Sequence, residues 1–221
     1  ASAVPGAYIL EASLLTSGSI YRWFTEQFYM GRSNDENPFA AADADATEAP
    51  AGANGLILLP YFKGSGSPDW NPLAKGSFLN LSLSTTRGDM IRAVLEGIAA
   101  ELADNLNLIE RLSSSVSSVK VSGGLTSFDL FNRIQADFFG KPVIRHKFKE
   151  STALGAWLNA AKTIGIYSSY DEAFSTAVLG TNPEIYNPDA QNTRTYKNFL
   201  NRRNKIRTLF EQADLYSLLS E

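Results

Sequence analysis

Residues 121–128, VSGGLTSF, hold the side chains and spacing in this 221-residue chain best placed to do chemistry. Gly123 and Gly124 lack β-carbons, so a ligand can approach the backbone closely and φ > 0 is allowed. A helix predicted to start near Ser127 offers free N–H groups and a positive dipole end to an anion. The stretch matches neither GxGxxG nor GxxxxGK(S/T), so the dinucleotide and P-loop fingerprints do not apply. On these residues alone, a phosphate or nucleotide cradle and a plain tight turn both stand. Other small-residue stretches share the ambiguity: Gly18 in LLTSGSIYRW, and Ala153, Gly155 and Ala156 in KESTALGAWLNA. The loop LPYFKGSGSPDWNPLAKGSF has the mixed aromatic and polar makeup of a functional loop.

Composition removes several classes of function. The formal net charge is −3 with no basic stripe, which argues against a nucleic-acid groove. The nearest basic cluster, Arg202, Arg203, Lys205 and Arg207, reads as the solvated face of a helix. With no cysteine there is no disulfide, thiolate nucleophile or sulfur-bound metal. A single histidine, His146, excludes multi-histidine metal sites and disfavours a Ser-His-Asp hydrolase; it ends an expected strand, PVIRH. No apolar run approaches the ~20 residues that span a bilayer. The N-terminus lacks Met and the basic start of a signal peptide, and reads as a chain begun in mid-protein.

The elements that must position these residues alternate between strand and helix, which predicts an α/β layer fold. AYILEA (7–12) is a strand or extended segment. A helix over SGSIYRWFTEQFYM carries Ile20, Trp23, Phe24 and Phe28 at helical spacing. Residues 31–54 are acidic, Ala-rich and punctuated by Pro, a surface excursion with room for a short helix. GLILLPYF is a buried strand that Pro60 disrupts; a turn-rich loop and a strand FLNLSL follow. The strongest helix comes after Thr85 and Thr86, with Met90, Ile91, Val94, Leu95, Ile98, Ala99 and Leu102 recurring at three and four. VKVSG and KPVIRH are strands. SFDLFNRIQADFFG is a helix closed by Gly140, and STALGAWLNAAKTIG one capped by Ser151 and ended by Gly165. Helices over SYDEAFSTAV and QNTRTYKNFLNRRNKIRTLFEQ finish the chain.

Taken in this order, the stretches resemble the C-terminal domain of the FGGY carbohydrate kinases across essentially all of residues 1–221. GSFLNLSLSTTRGDMIRAVLE (76–96) resembles that family's second signature, with Asn80 where the family usually has Gly. LLPYFKGSGSPDWNPLAKG resembles its LPYLxGERSPxWDPxARG loop, VSGGLTSFDLFNRIQADFFGKPV its VTGGGARSPLWRQILADVLGKPV, and ESTALGAWLNAA its EASALGAALLAA. ILEASLLTSGSIYRWF resembles the segment after the family's domain junction.

The resemblance implies an α/β, actin-like ATPase (ribonuclease H-like) domain, a mixed sheet flanked by helices, with the Gly-Gly turn at its adenine-nucleotide site. Carried over by position, the nucleotide contacts are Gly18, Arg22, Gly124 and Phe128. Phe128 departs from the usual Asn or Ser, and Leu125 replaces the usual third glycine. Phe128 either stacks on the base or marks a weakened site, and Arg22 either pairs with phosphate or lies on a helix face. The implied reaction moves the γ-phosphoryl of ATP, with Mg²⁺, to a hydroxyl of a sugar or sugar alcohol. Xylulose-like pentuloses come first, then gluconate, glycerol or autoinducer-2 types. The resemblance places the general-base Asp and the sugar-binding N-terminal domain upstream of Ala1, so this chain alone is expected to be inactive. Asp69 in SPDWNP is therefore expected to order its own turn. The remaining expectations are a cytoplasmic protein, its own N-terminal domain as partner, and an apolar face open to homodimer formation. A non-catalytic nucleotide-binding module and a self-associating structural module are the alternatives.

Overall fold

A 26-residue helix, α3 (Arg87–Leu112), is the axis around which the other elements pack. Thr86 and Asp89 start it with a capping box: the Thr86 hydroxyl accepts from the Asp89 N–H at 3.0 Å, and the Asp89 carboxylate accepts from the Thr86 N–H at 2.8 Å. Asp89 also accepts from Asn54 Nδ2 at 2.8 Å. Burial pushes the Asp89 carboxyl up, but the bonds from Thr86 and Asn54 outweigh it and hold its pKa below the usual range. The predicted apolar stripe is the core, with Ile91, Val94, Leu95, Ile98 and Ala99 fully buried.

The computed structural model describes residues 4, 6–30, 37–146, 150–178 and 182–219. Helices α1 (Gly18–Phe28) and α2 (Pro38–Glu48) lie against α3. So does an antiparallel pair, β1 (Ile57–Leu59) and β2 (Ser77–Leu79), in register at Leu58 and Phe78. α3 and β1 approach closely at Gly97, where a Cβ would sit 2.8 Å from the Leu58 carbonyl oxygen. A mixed sheet follows, in the order β3 (Val119–Val121), β4 (Val143–Arg145), β5 (Glu184–Tyr186). β3 and β4 are parallel, β4 and β5 antiparallel. Helix α4 (Asp129–Phe139) connects β3 to β4 and ends at the left-handed Gly140. Then come α5 (Ser151–Thr163), α6 (Tyr170–Ala177), α7 (Ala190–Gln212) and a short α8 (Leu215–Leu218). The result is the expected α/β architecture, a mixed sheet flanked by helices.

Several elements differ from the sequence reading. Residues 31–36 of the acidic excursion lie outside the described residues. The short helix that the excursion had room for is α2, capped by Asn37, and it buries Ala42 and Ala46 completely against the core. Residues 7–12 make no ladder, and β5 and α8 were not anticipated. Ser151 is the first helical residue of α5, and Glu150 precedes it as the cap position without a side-chain bond. The strand at FLNLSL stops at Asn80, whose φ of 70° is left-handed. Asparagine is among the few non-glycine residues that tolerate this region, which accounts for its presence where the resemblance leads one to expect Gly. Its amide also donates to the Gly55 carbonyl at 3.1 Å.

The basic cluster is a solvated face only in part: Arg202 and Lys205 are exposed, Arg207 is half-buried and Arg203 is buried. Arg203 is fully buried and donates to Glu101 at 2.7 Å and Asp104 at 2.8 Å. Burial opposes its charge, but Glu101, Tyr61 and Asp104 hold its pKa above the usual arginine value. Arg202 donates to the Gly55 carbonyl, and Arg207 pairs with Asp69 at 3.5 Å. A second buried network joins α3 to α7: Arg92 and Glu96 pair at 2.7 Å, and both bond the Tyr196 hydroxyl at 2.8 Å. The Gly52 N–H adds a donor to the same Glu96 oxygen at 2.9 Å.

Candidate functional site

The turn after β3 is built by its own side chains. Gly123 has φ 104° and ψ 171°, a conformation glycine adopts without strain. A 3₁₀ turn over Gly124–Ser127 follows. The Thr126 hydroxyl donates to the Gly123 carbonyl at 2.7 Å, and the Ser127 hydroxyl to the Gly124 carbonyl at 2.6 Å. Asn132, buried on α4, donates to the Thr126 carbonyl at 2.8 Å and anchors the turn to the helix. With these groups engaged internally, the outer face of both glycines stays clear: a Cβ on Gly123 or Gly124 would meet nothing within 4 Å.

The start of α1 faces this turn. A Cβ on Gly18 would lie 3.9 Å from the Leu125 Cβ. Between them opens a cleft of about 1220 Å³, bounded by α1, α2, α3, β3, the glycine turn and α4. Gly18, Arg22, Gly124 and Phe128 all line it. Four residues spread over 111 positions of sequence thus meet at one cavity. Arg22 is exposed on its rim. Phe128 is half-buried, its ring centroid 6.3 Å from Tyr21, which lies 6.3 Å from Phe39 in turn. The three rings make one apolar wall.

The expected anion seat at the start of α4 is not there. The helix begins at Asp129, two residues later than predicted, with Phe128 as a cap that makes no side-chain bond. Asp129 puts a carboxylate in the first turn, where the positive helix end already has its counter-charge. Tyr186 donates to that carboxylate at 2.8 Å.

Several cleft residues were missed by sequence reasoning. The Tyr21 hydroxyl donates to Asp43 of α2. Burial, and then Asp43 itself, push the Tyr21 pKa far above the ordinary phenol value, so it stays a donor. Burial also raises the Asp43 pKa. Asn105 of α3 and Gln135 of α4 line the floor at 6% and 4% exposure. Gln135 carried a readable signal. With Phe131, Ile134 and Phe138 it completes the i, i+3, i+4, i+7 pattern of an inward-facing stripe, and so is a polar residue at a core position. Nothing comparable marked Asn105.

The other candidates lie away from the cleft. Asp69 ties its loop to α7 through Arg207 rather than only ordering its own turn. His146 follows β4, its ring 5.8 Å from Phe174. Ala153 and Ala156 sit exposed on α5. The Gly/Pro loop acts indirectly: the Ser67 N–H donates to the Ser13 carbonyl at 3.0 Å, bracing the segment whose Ala12 and Leu14 form part of the cleft rim. Among the described residues, no group of three or more Asp, Glu or His is placed to hold a metal ion. No helix among them is long and apolar enough to cross a membrane.

Residues 1–164 match the C-terminal domain of the FGGY family of carbohydrate kinases. The chain belongs to this family. A glycerol kinase of Deinococcus radiodurans is 34% identical over 166 residues, covering 75% of this chain and 32% of that relative. The chain therefore spans about a third of the length of the curated FGGY relatives it matches. The xylulose kinase of Rhodospirillum rubrum superposes with a TM-score of 0.77 at 29% identity, covering 90% of this chain and 39% of that one. The glycerol kinase of Plasmodium falciparum, solved with ADP, shares the fold at a TM-score of 0.70 and 24% identity, covering 89% and 38%. The fold is thus the actin-like ATPase architecture of the FGGY kinases.

Proposed function

We propose that this chain forms the nucleotide-binding side of an ATP-dependent carbohydrate kinase. One observation carries the reading: Gly18, Arg22, Gly124 and Phe128, matched to the family's nucleotide contacts, line a single cleft. The residues present fit a nucleotide. Gly123 and Gly124 leave open space against the backbone, Arg22 offers a guanidinium at the rim, and the Phe128, Tyr21 and Phe39 rings offer a face to a flat base. When bound, ATP supplies the transferable γ-phosphoryl group and Mg²⁺ offsets its charge. This chain's own part is to bind and orient the nucleotide and to exclude water from one side.

The acceptor is a hydroxyl of a sugar or sugar alcohol, a xylulose-like pentulose first, with glycerol and gluconate in the same class. The carboxylate that would take the acceptor's proton belongs to the N-terminal, sugar-binding part of the enzyme, so this chain by itself binds nucleotide without completing transfer. Tyr8, 87% exposed, with Ile9 and Leu10 and the edge strand β3, is the surface we assign to that partner domain. ATP as substrate argues for the cytoplasm. A non-catalytic nucleotide-binding module is the second reading, favoured by the Phe128 ring being engaged with Tyr21 rather than replaced by a hydrogen-bonding residue.

Calorimetric titration of ADP with Mg²⁺ into the wild type and a Gly124→Asp variant tests the reading. The variant's Cβ meets open space, so the fold should hold while a carboxylate enters the cleft. Saturable binding lost in the variant is expected. Equal binding by both proteins, or none by the wild type, would overturn the proposal.

A further inference from the structure

Gln135 is the least explained residue on the cleft. Its side chain is 4% exposed, its Oε1 is buried with no hydrogen-bond partner, and it lines the cavity floor beside the apolar Phe131. A buried acceptor left without a donor is destabilising by about 1–3 kcal/mol, and at Gln135, unlike Asn132, a partner can reach it through the cleft. Asn132 and Asp137 are buried polar residues of α4 too, but Asn132 donates to the Thr126 carbonyl and Asp137 accepts from Asp189 and Asn192, and neither lines the cleft; Gln135 is the buried amide of this helix that does. Asn105, also at least nine-tenths buried, faces the same cavity from α3.

We infer that Gln135 is a nucleobase-reading residue that selects adenine over guanine, with Asn105 as a second amide on the same floor. The inference rests on the nucleotide reading above and adds a specificity to it. A carboxamide presents an acceptor and a donor side by side. The N6/N7 edge of adenine presents a donor and an acceptor and matches it, whereas the O6/N7 edge of guanine presents two acceptors and does not. No covalent step is involved. The apolar surroundings sharpen the choice, because a mismatched polar group there has no water to turn to.

The test titrates ADP and GDP, each with Mg²⁺, into wild type, Gln135→Leu and Gln135→Glu, with thermal midpoints measured without ligand. Wild type is expected to favour ADP by at least roughly tenfold. Gln135→Leu is expected to bring that ratio close to one while its midpoint holds or rises, since it removes an unpartnered buried amide. Gln135→Glu keeps the acceptor for N6 but loses the donor to N7, and should fall between the two. An unchanged ratio in Gln135→Leu overturns the inference and leaves the nucleotide reading intact if Gly124→Asp still abolishes binding. Lost binding with a fallen midpoint in both variants assigns Gln135 to the fold and overturns it too. No nucleotide binding by the wild type removes the nucleotide reading and this inference together.

Discussion

At the α3–α7 interface, the fully buried Arg203 meets Glu101, Asp104 and the Tyr61 hydroxyl, and nearby Glu96 meets Arg92, Tyr196 and the Gly52 N–H. On the cleft floor, Gln135 is buried almost as deeply and its oxygen meets nothing. Satisfaction at the interface is not complete, since Glu96 Oε2 and Arg203 Nε also lack partners. What differs is charge. A buried ion without its counter-ion is destabilising by several kcal/mol, so the interface must pair its charges to fold. A neutral amide without a partner loses far less, which the fold can carry until something enters the cleft. The ions of the interface are paired with each other, whereas the cleft floor carries a neutral amide whose oxygen is untied.

That contrast can be broken most sharply at Arg203. Arg203→Met leaves Glu101 buried and unpaired and should lower stability by about 3–5 kcal/mol in urea denaturation. A loss below about 1 kcal/mol would mean the interface tolerates unpaired charge and the contrast is wrong.

A smaller effect is expected at the start of α3. Thr86→Ala removes the cap and should reduce stability by about 1 kcal/mol near neutral pH. Because the folded Asp89 pKa lies below its unfolded value, its contribution is present above the unfolded aspartate value of about 3.9 and fades as pH falls through the folded value. Without the Thr86 hydroxyl as partner, the variant should show a weaker loss on acidification than the wild type. Parallel acid profiles for the two proteins would contradict this account of Asp89.

The sequence carried the scaffold unevenly. The start of α3 was legible because a capping box is a local signal, and its apolar stripe because the helical period repeats over many turns. The Gly-Gly turn was legible as a turn, and the resemblance brought Gly18, Arg22, Gly124 and Phe128 into one list before any cavity was seen. A short helix at α2 was legible but its inward face was not: its buried residues are Ala42 and Ala46, whose methyls give little hydrophobic contrast against neighbouring Ala and Asp. Arg203 was misread because its partner Glu101 is 102 residues away, and no local pattern encodes a pairing at that range. Asp43 belongs to the same class, since its meaning depends on which surface the fold brings opposite it, while Gln135 was marked only as a polar residue in an apolar stripe.

The central claim is that the untied Gln135 amide on the cleft floor marks the ligand side of the molecule. Titrating ADP with Mg²⁺ while following backbone and side-chain amide NMR signals tests it most directly. The account predicts shifts at the Gly18, Gly124 and Phe128 amides and at the Gln135 side chain, with Glu101, Asp104 and the region around Arg203 unmoved. Shifts centred on the α3–α7 interface, or a cleft that stays silent at saturating ADP, would contradict it.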